Sequence, residues 1–217
     1  MKYLNIRILH YKSEQEVDFT YLLKQVNPTT LERLSIDTGN TKEVERLIKN
    51  SPGLKEIDIC INDKETLDAI KNSASKNFDL FIANTSADFQ SQDIQDAFCS
   101  IKIKTLVLNS QWQFAKNVLS AIDKDSLQSL CHNTGKVYED GADVVTTLSK
   151  FTNLKELALN TKQLNQNTVD QISKYLSNPE CKIKDVNLFG KQSTELTLWQ
   201  NQFDNAIKQR QNPQTVL

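Results

Sequence analysis

Cys60, Cys99, Cys131, Cys181, His10 and His132 are the side chains of this 217-residue chain best suited to nucleophilic or soft metal-binding chemistry. Their spacing gives them no such task. No two cysteines form a CxxC pair, no histidine stands at zinc-site distance from one of them, and the histidines have no partner of their own kind nearby. Asp37, Glu56 and Asp58 suggest an acid/base pair or a cation site, but no histidine or third ligand converges with them. The sequence holds no phosphate-cradling glycine loop, no GxSxG turn and no HExxH helix. The expectation is a non-enzymatic chain with no cofactor and no metal, whose cysteines are free thiols of a reducing compartment.

Composition narrows the partners. Net charge is -1 at pH 7, with 38% hydrophobic and 24% charged residues. Nucleic-acid binding would need a strong basic excess, so no nucleic acid is expected. No apolar run reaches membrane-spanning length, so no membrane span is expected, and the N-terminus lacks the apolar core of a secretory signal. Asn84-Thr85-Ser86 is a glycosylation sequon, relevant only after secretion.

What must position any functional residue is a recurring phrase. Its clearest copy is Leu154-Lys155-Glu156-Leu157-Ala158-Leu159-Asn160, which reads as a half-buried strand. Copies begin at Tyr3, Leu31, Leu54, Phe78, Ile103, Leu127, Leu154 and Ile183, spaced 23 to 29 residues apart. The Phe78 copy admits two registers. One aligns Asn84 with Asn109, Asn133 and Asn160 and turns Leu80 and Ile82 outward; the other buries both. The Leu127 copy ends on His132 where a leucine is expected, which reads as a hydrogen-bonded histidine or a frayed strand end. Helical spacing fills the intervals: Val17, Phe19, Tyr21, Leu22, Leu23 and Val26; Val44, Leu47 and Ile48; Leu67 and Ile70; Ile94, Ala97 and Phe98; Val118, Ala121 and Ile122; Val144, Val145, Leu148 and Phe151; Val169, Ile172 and Leu176. Ser13 with Glu16, Thr41 and Asp63 mark helix starts, while Ser51-Pro52-Gly53 and Asn178-Pro179 mark stops.

The frames Leu31/Leu34/Ile36, Leu54/Ile57/Ile59, Ile103/Leu106/Leu108, Leu154/Leu157/Leu159 and Ile183/Val186/Leu188 resemble the LxxLxL signature of leucine-rich repeat proteins. The resemblance spans nearly the whole chain and is nearest to the ribonuclease-inhibitor type. It implies an α/β leucine-rich repeat solenoid of about eight units, with a curved parallel sheet on the concave side and helices on the convex side. The family's asparagine or cysteine, eight places after the first leucine, is matched only by Asn62. Gly39, Ser86, Gln111, Gly135, Lys162 and Lys191 hold the other such positions, so the loops after the strands must satisfy their amides in another way.

The solenoid is read over residues 1–192, an amphipathic capping helix over 193–210 (Leu196, Trp199, Phe203, Ile207) and a disordered tail over 211–217. In such a solenoid the residues between the buried ones face the concave side. The candidate partner-binding set is Arg33, Asp37, Glu56, Asp58, Leu80, Ile82, Thr105, Val107, Ser129, Cys131, Glu156 and Asp185. Its middle is apolar and its ends carry carboxylates, the pattern of a protein interface. The asparagine column either bonds along the stack, the preferred reading, or offers itself to a partner. Cys60 and Cys131, three strands apart, lie about 14 Å from one another, beyond disulfide reach.

The function expected is a protein–protein interaction module acting through the concave face. In style the chain resembles leucine-rich repeat effectors of intracellular bacteria, which implies a cytoplasmic protein or one secreted into a host cytoplasm, acting on a host protein. The alternative is a regulatory or targeting domain of a larger enzyme such as a ubiquitin ligase or GTPase regulator. The loop arginine of the GTPase-activating members has no counterpart among Arg7, Arg33, Arg46 and Arg210. A monomer is expected, with an edge-to-edge dimer through the uncapped first strand as the alternative.

Overall fold

Aliphatic residues alternating with polar ones make strands that bury one face, and the helical segments between them supply the cover. In the computed structural model, residues 2–6, 20–36, 41–99, 101–134, 136–190 and 194–211 are described. Eight strands, β1 (Tyr3–Ile6), β2 (Arg33–Ile36), β3 (Glu56–Cys60), β4 (Asn77–Asn84), β5 (Lys102–Asn109), β6 (Ser129–Asn133), β7 (Glu156–Asn160) and β8 (Asp185–Phe189), form one sheet. They are all parallel and lie in chain order. Parallel neighbours need a crossover. The crossovers carry α1 (Thr20–Lys24), α2 (Thr41–Asn50), α3 (Lys64–Lys71), α4 (Ser91–Phe98), α5 (Trp112–Ala121), α6 (Gly141–Leu148) and α7 (Gln166–Leu176). A final helix, α8 (Thr194–Gln211), follows β8.

The core is the seam between these layers. Leu34, Ile57, Phe81, Leu106, Leu130, Leu157 and Val186 form one buried row across the strands. Leu47, Leu67, Ile94, Val118, Val144 and Ile172 meet them from the helices. Phe81 is central, edge-on to Phe78 at 5.3 Å and to Phe98 at 5.4 Å between ring centroids. Asp63 caps α3, its carboxylate accepting the Thr66 N–H at 2.8 Å, and Thr41 begins α2. The stops at Ser51 and Asn178 fall just after α2 and α7.

Two expectations need correction at the N-terminal end. The first strand pairs Leu4 with Leu34 and Ile6 with Ile36, so its frame starts two residues before Tyr3. Tyr3 is 59% exposed, beneath the Arg33 guanidinium at 5.2 Å from its ring centre. On α1 the buried residue is Leu23, with Val26 just after the helix, while Tyr21 (73%) and Leu22 (56%) face outward. The Ser13–Glu16 start, Val17, Phe19, Asp37 and residues 212–217 of the tail lie outside the described residues.

In the Phe78 copy, Phe78, Phe81 and Ala83 are buried, and Leu80 and Ile82 stand on the opposite face. The loop amides find partners in the next strand: Ile61 N–H donates to the Asn84 carbonyl at 2.8 Å, Thr85 to Asn109 at 3.0 Å and Ser110 to Asn133 at 3.1 Å. Asn62, the position that matches the family pattern, is exposed. On α8, Phe203 and Ile207 are buried and Trp199 is partly so.

Candidate binding face

The sheet face turned away from the helices carries three rows of side chains, one step apart along the strands. The first runs Tyr3, Arg33, Glu56, Leu80, Thr105, Ser129, Glu156, Asp185, and the second Asn5, Ser35, Asp58, Ile82, Val107, Cys131, Ala158, Asn187. All the candidate residues except Asp37 therefore share one face. Leu80, Ile82, Val107, Cys131 and Ala158 form its centre, each half-buried by its neighbours. Burial in this apolar patch pushes the Cys131 thiol above its ordinary pKa, which suits it to packing more than to thiolate chemistry.

Charge at the N-terminal end of the face is already engaged. Arg33 grips Glu56 with two nitrogens, at 2.6 and 2.7 Å. Asp58 accepts from the Ser35 hydroxyl at 3.2 Å and from Asn84 Nδ2 at 3.2 Å. Glu156 and Asp185 are exposed cross-strand neighbours at the other end.

The third row is a ladder of carboxamides. Asn109 Nδ2 donates to Asn84 Oδ1 at 2.6 Å, Asn133 to Asn109 at 3.1 Å and Asn160 to Asn133 at 2.8 Å. Asn84 then donates to Asp58, so every donor in the row points towards that carboxylate. At the far end Asn160 Oδ1 caps the 3-10 turn Thr161–Gln163, accepting from Lys162 N–H at 3.0 Å. The column bonds along the stack, and the Asn84 carboxamide of the sequon is committed to it. Alignment of the four asparagines was visible in the sequence; termination on Asp58 was not, because Asp58 stands two residues earlier in its strand.

Beneath this face His132 is 1% exposed. Its Nε2 lies 3.1 Å from the Ser110 carbonyl and Nδ1 lies 2.7 Å from the Tyr138 hydroxyl, which also reaches Gln163 Oε1 at 3.1 Å. Trp112 packs against both rings. Burial lowers the His132 pKa to about 4, so the ring is neutral at pH 7. Nε2 then carries the proton for Ser110, and Nδ1 and Gln163 Oε1 are the two acceptors that share the single hydroxyl proton of Tyr138, Nδ1 being the nearer. The strand does not fray there; the histidine takes a leucine's place and satisfies both nitrogens.

A feature the sequence did not suggest lies at the strand starts. β4 and β5 begin earlier than their neighbours, pairing Asn77 with Lys102 and Phe78 with Ile103. Beside this ledge is a cavity of about 430 Å³ lined by Lys55, Asn77, Lys102, Ser126 and Gln128 among others, with Asp79 and Lys104 joined across it at 2.6 Å.

The four cysteines are unbridged. Among the described residues no group of three His, Cys, Asp or Glu side chains converges as a metal site, and no helix is long and apolar enough to cross a membrane. Arg33, Arg46 and Arg210 all have partners: Glu56; Glu43 with the Leu23 carbonyl; and the Leu176 and Ile183 carbonyls. The sequence matches no protein-family model, and a search of curated proteins found no significant match.

Proposed function

We propose that this chain is a leucine-rich-repeat-type solenoid that binds a partner protein, without catalysis, through the open face of its sheet. The observation that carries this reading is the contiguous apolar patch of Leu80, Ile82, Val107, Cys131 and Ala158. It lies beside the asparagine ladder, with Leu80 extending it into the otherwise polar first row, on a face that the described helices leave uncovered. Strand order and helix placement support the solenoid, since each strand–helix unit buries its apolar sides only against its neighbours. An apolar centre with a hydrogen-bonding rim is the anatomy of a protein interface.

The test is affinity capture of partners from lysate by the wild type and by Val107→Arg and Thr105→Glu, with circular dichroism to verify that each variant folds. Partners bound through this face lose at least about tenfold in affinity when a charge enters its centre. Partners retained at wild-type affinity by both folded variants remove the face as the site.

A further inference from the structure

β4 and β5 have eight residues each, against five in β3 and β6, so they run past their neighbours at the strand starts. The chain entering β3 at Pro52–Lys55 and the chain entering β6 at Asp125–Gln128 flank this ledge, and the cavity of about 430 Å³ lies between them. That is the size of a small-molecule site. Most of its wall is apolar, with Pro52, Leu54 and Phe78 among the lining residues. Leu80, Ile82, Val107 and Cys131 take no part in the lining, so the cavity is separate from the patch on the open face.

The wall is held by hydrogen bonds of its own. The Ser126 hydroxyl accepts the Ile103 N–H at 3.1 Å and donates to the Asp123 carbonyl at 3.0 Å. Asp123 Oδ1 in turn accepts the Asp125 and Ser126 N–H groups at 3.0 and 2.8 Å. The entry to β6 is therefore tied to the start of β5, and the cavity is formed before any ligand arrives.

Charge around it is unequal. Lys55, Lys102 and Lys104 stand against Asp79 and Asp125. Both carboxylates are engaged: Asp79 accepts from Lys104 Nζ at 2.6 Å, and Asp125 Oδ1 accepts from the Thr152 hydroxyl at 2.5 Å. Glu32, which lies in the field of Lys55, is held by Lys2 at 3.0 Å. Lys55 and Lys102 are exposed and form no ion pair among the described residues. Two ammonium groups are thus left to face a ligand beside an apolar wall. A cation would meet like charge there, and a neutral apolar molecule would use only half of what the site offers.

We infer that this cavity binds a small organic acid, whose ionised head pairs with Lys55 and Lys102 while its apolar body covers the wall between the entries to β3 and β6. The inference does not depend on the partner-protein reading of the open face.

The test uses 8-anilinonaphthalene-1-sulfonate, which joins one anionic head to an aromatic body and fluoresces in apolar surroundings. Fluorescence titration gives the affinity, and amide shifts in nitrogen-labelled protein give the place. The wild type is expected to bind the probe saturably, moving the amides of Gly53, Asp79, Lys102 and Gln128. The double variant Lys55→Glu with Lys102→Glu is expected to bind at least about tenfold more weakly. Lys155→Glu with Lys184→Glu makes the same change of charge on exposed lysines outside the cavity, and is expected to keep the wild-type affinity. Absence of binding overturns the inference, as does equal weakening in the two double variants, which would mean attraction to surface charge alone. Shifts centred on Ile82 and Cys131 overturn it too, because they place the probe on the open face. If the cavity variant does not fold, the amide shifts of the wild type decide.

Discussion

At the residue scale, two polar side chains decide how this chain tolerates change. His132 is buried neutral, with a pKa of about 4 in the fold against 6.5 when unfolded. Between those values protons bind the unfolded chain in preference, so this contribution to stability is complete above pH 6.5 and is lost as pH falls towards 4. From pH 7 to pH 5 the loss is about 2 kcal/mol. His132→Leu should abolish that part of the dependence. It should also cost about 1–3 kcal/mol at pH 7, because the buried Ser110 carbonyl loses its donor and the Tyr138 hydroxyl is left with Gln163 Oε1 alone. Urea unfolding of both proteins at pH 7 and pH 5 checks this, and equal slopes with pH would refute the assignment. The asparagine ladder makes a second comparison. Asn109 both donates to Asn84 and accepts from Asn133, whereas Asn62, the position that fits the family pattern, is exposed. Asn109→Leu should cost about 1–2 kcal/mol and Asn62→Leu less than about 0.5 kcal/mol. The reverse order in urea midpoints would mean that the ladder does not hold the strand ends.

At the scale of elements, helix packing sets the narrowest tolerance at Gly141, the first residue of α6. A Cβ there would meet the Thr168 Cα on α7 at 2.7 Å, and that atom is backbone. Gly141→Ala should therefore push the two helices apart, lowering stability by about 1–3 kcal/mol in spite of alanine's better helix propensity. Thermal unfolding measures it, and a raised midpoint would show that α6 and α7 separate freely. What could be read of these elements from sequence follows the same logic of constraint. Helix faces from α2 to α7 were legible because apolar residues there have one spacing and one possible side. The register of β4 was legible only as a choice of two, because Leu80 and Ile82 can turn inward as well as Phe81 and Ala83 can; the line of asparagines favoured the one that the structure has. The register of β1 was not, since Tyr3, Leu4 and Ile6 place apolar residues on both faces and only pairing with β2 selects one. The same ambiguity misassigned Tyr21 and Leu22. Gln200, whose carboxamide bonds the Val186 carbonyl and the Leu188 N–H of β8, carried no signal at all: a glutamine on an amphipathic helix reads as solvent-facing, and these partners are backbone groups that every sequence has.

Across the described residues, the main strand–strand and helix–helix contacts join elements next to one another in chain order, and α8 also folds back on β8. Cooperativity must then pass from neighbour to neighbour, and the ends open more readily than the middle. Among the described residues the N-terminal end is the thinner one. β1 has four residues, and α1 has five with only Leu23 buried, while β4 and β5 have eight each and enclose the Phe78–Phe81–Phe98 cluster. Amides of β1 should therefore exchange with solvent through local fraying, and those of β4 to β6 only through unfolding of the whole. Leu106→Ala separates the two routes. Leu106 is fully buried at the centre of β5, so its truncation should lower global stability by about 2–5 kcal/mol. Exchange in β4, β5 and β6 should accelerate in proportion to that loss, while exchange at Leu4 and Asn5 keeps its rate. Equal acceleration at β1 and β5 would show the eight strands opening as one unit, and the nearest-neighbour picture of this sheet would have to be abandoned.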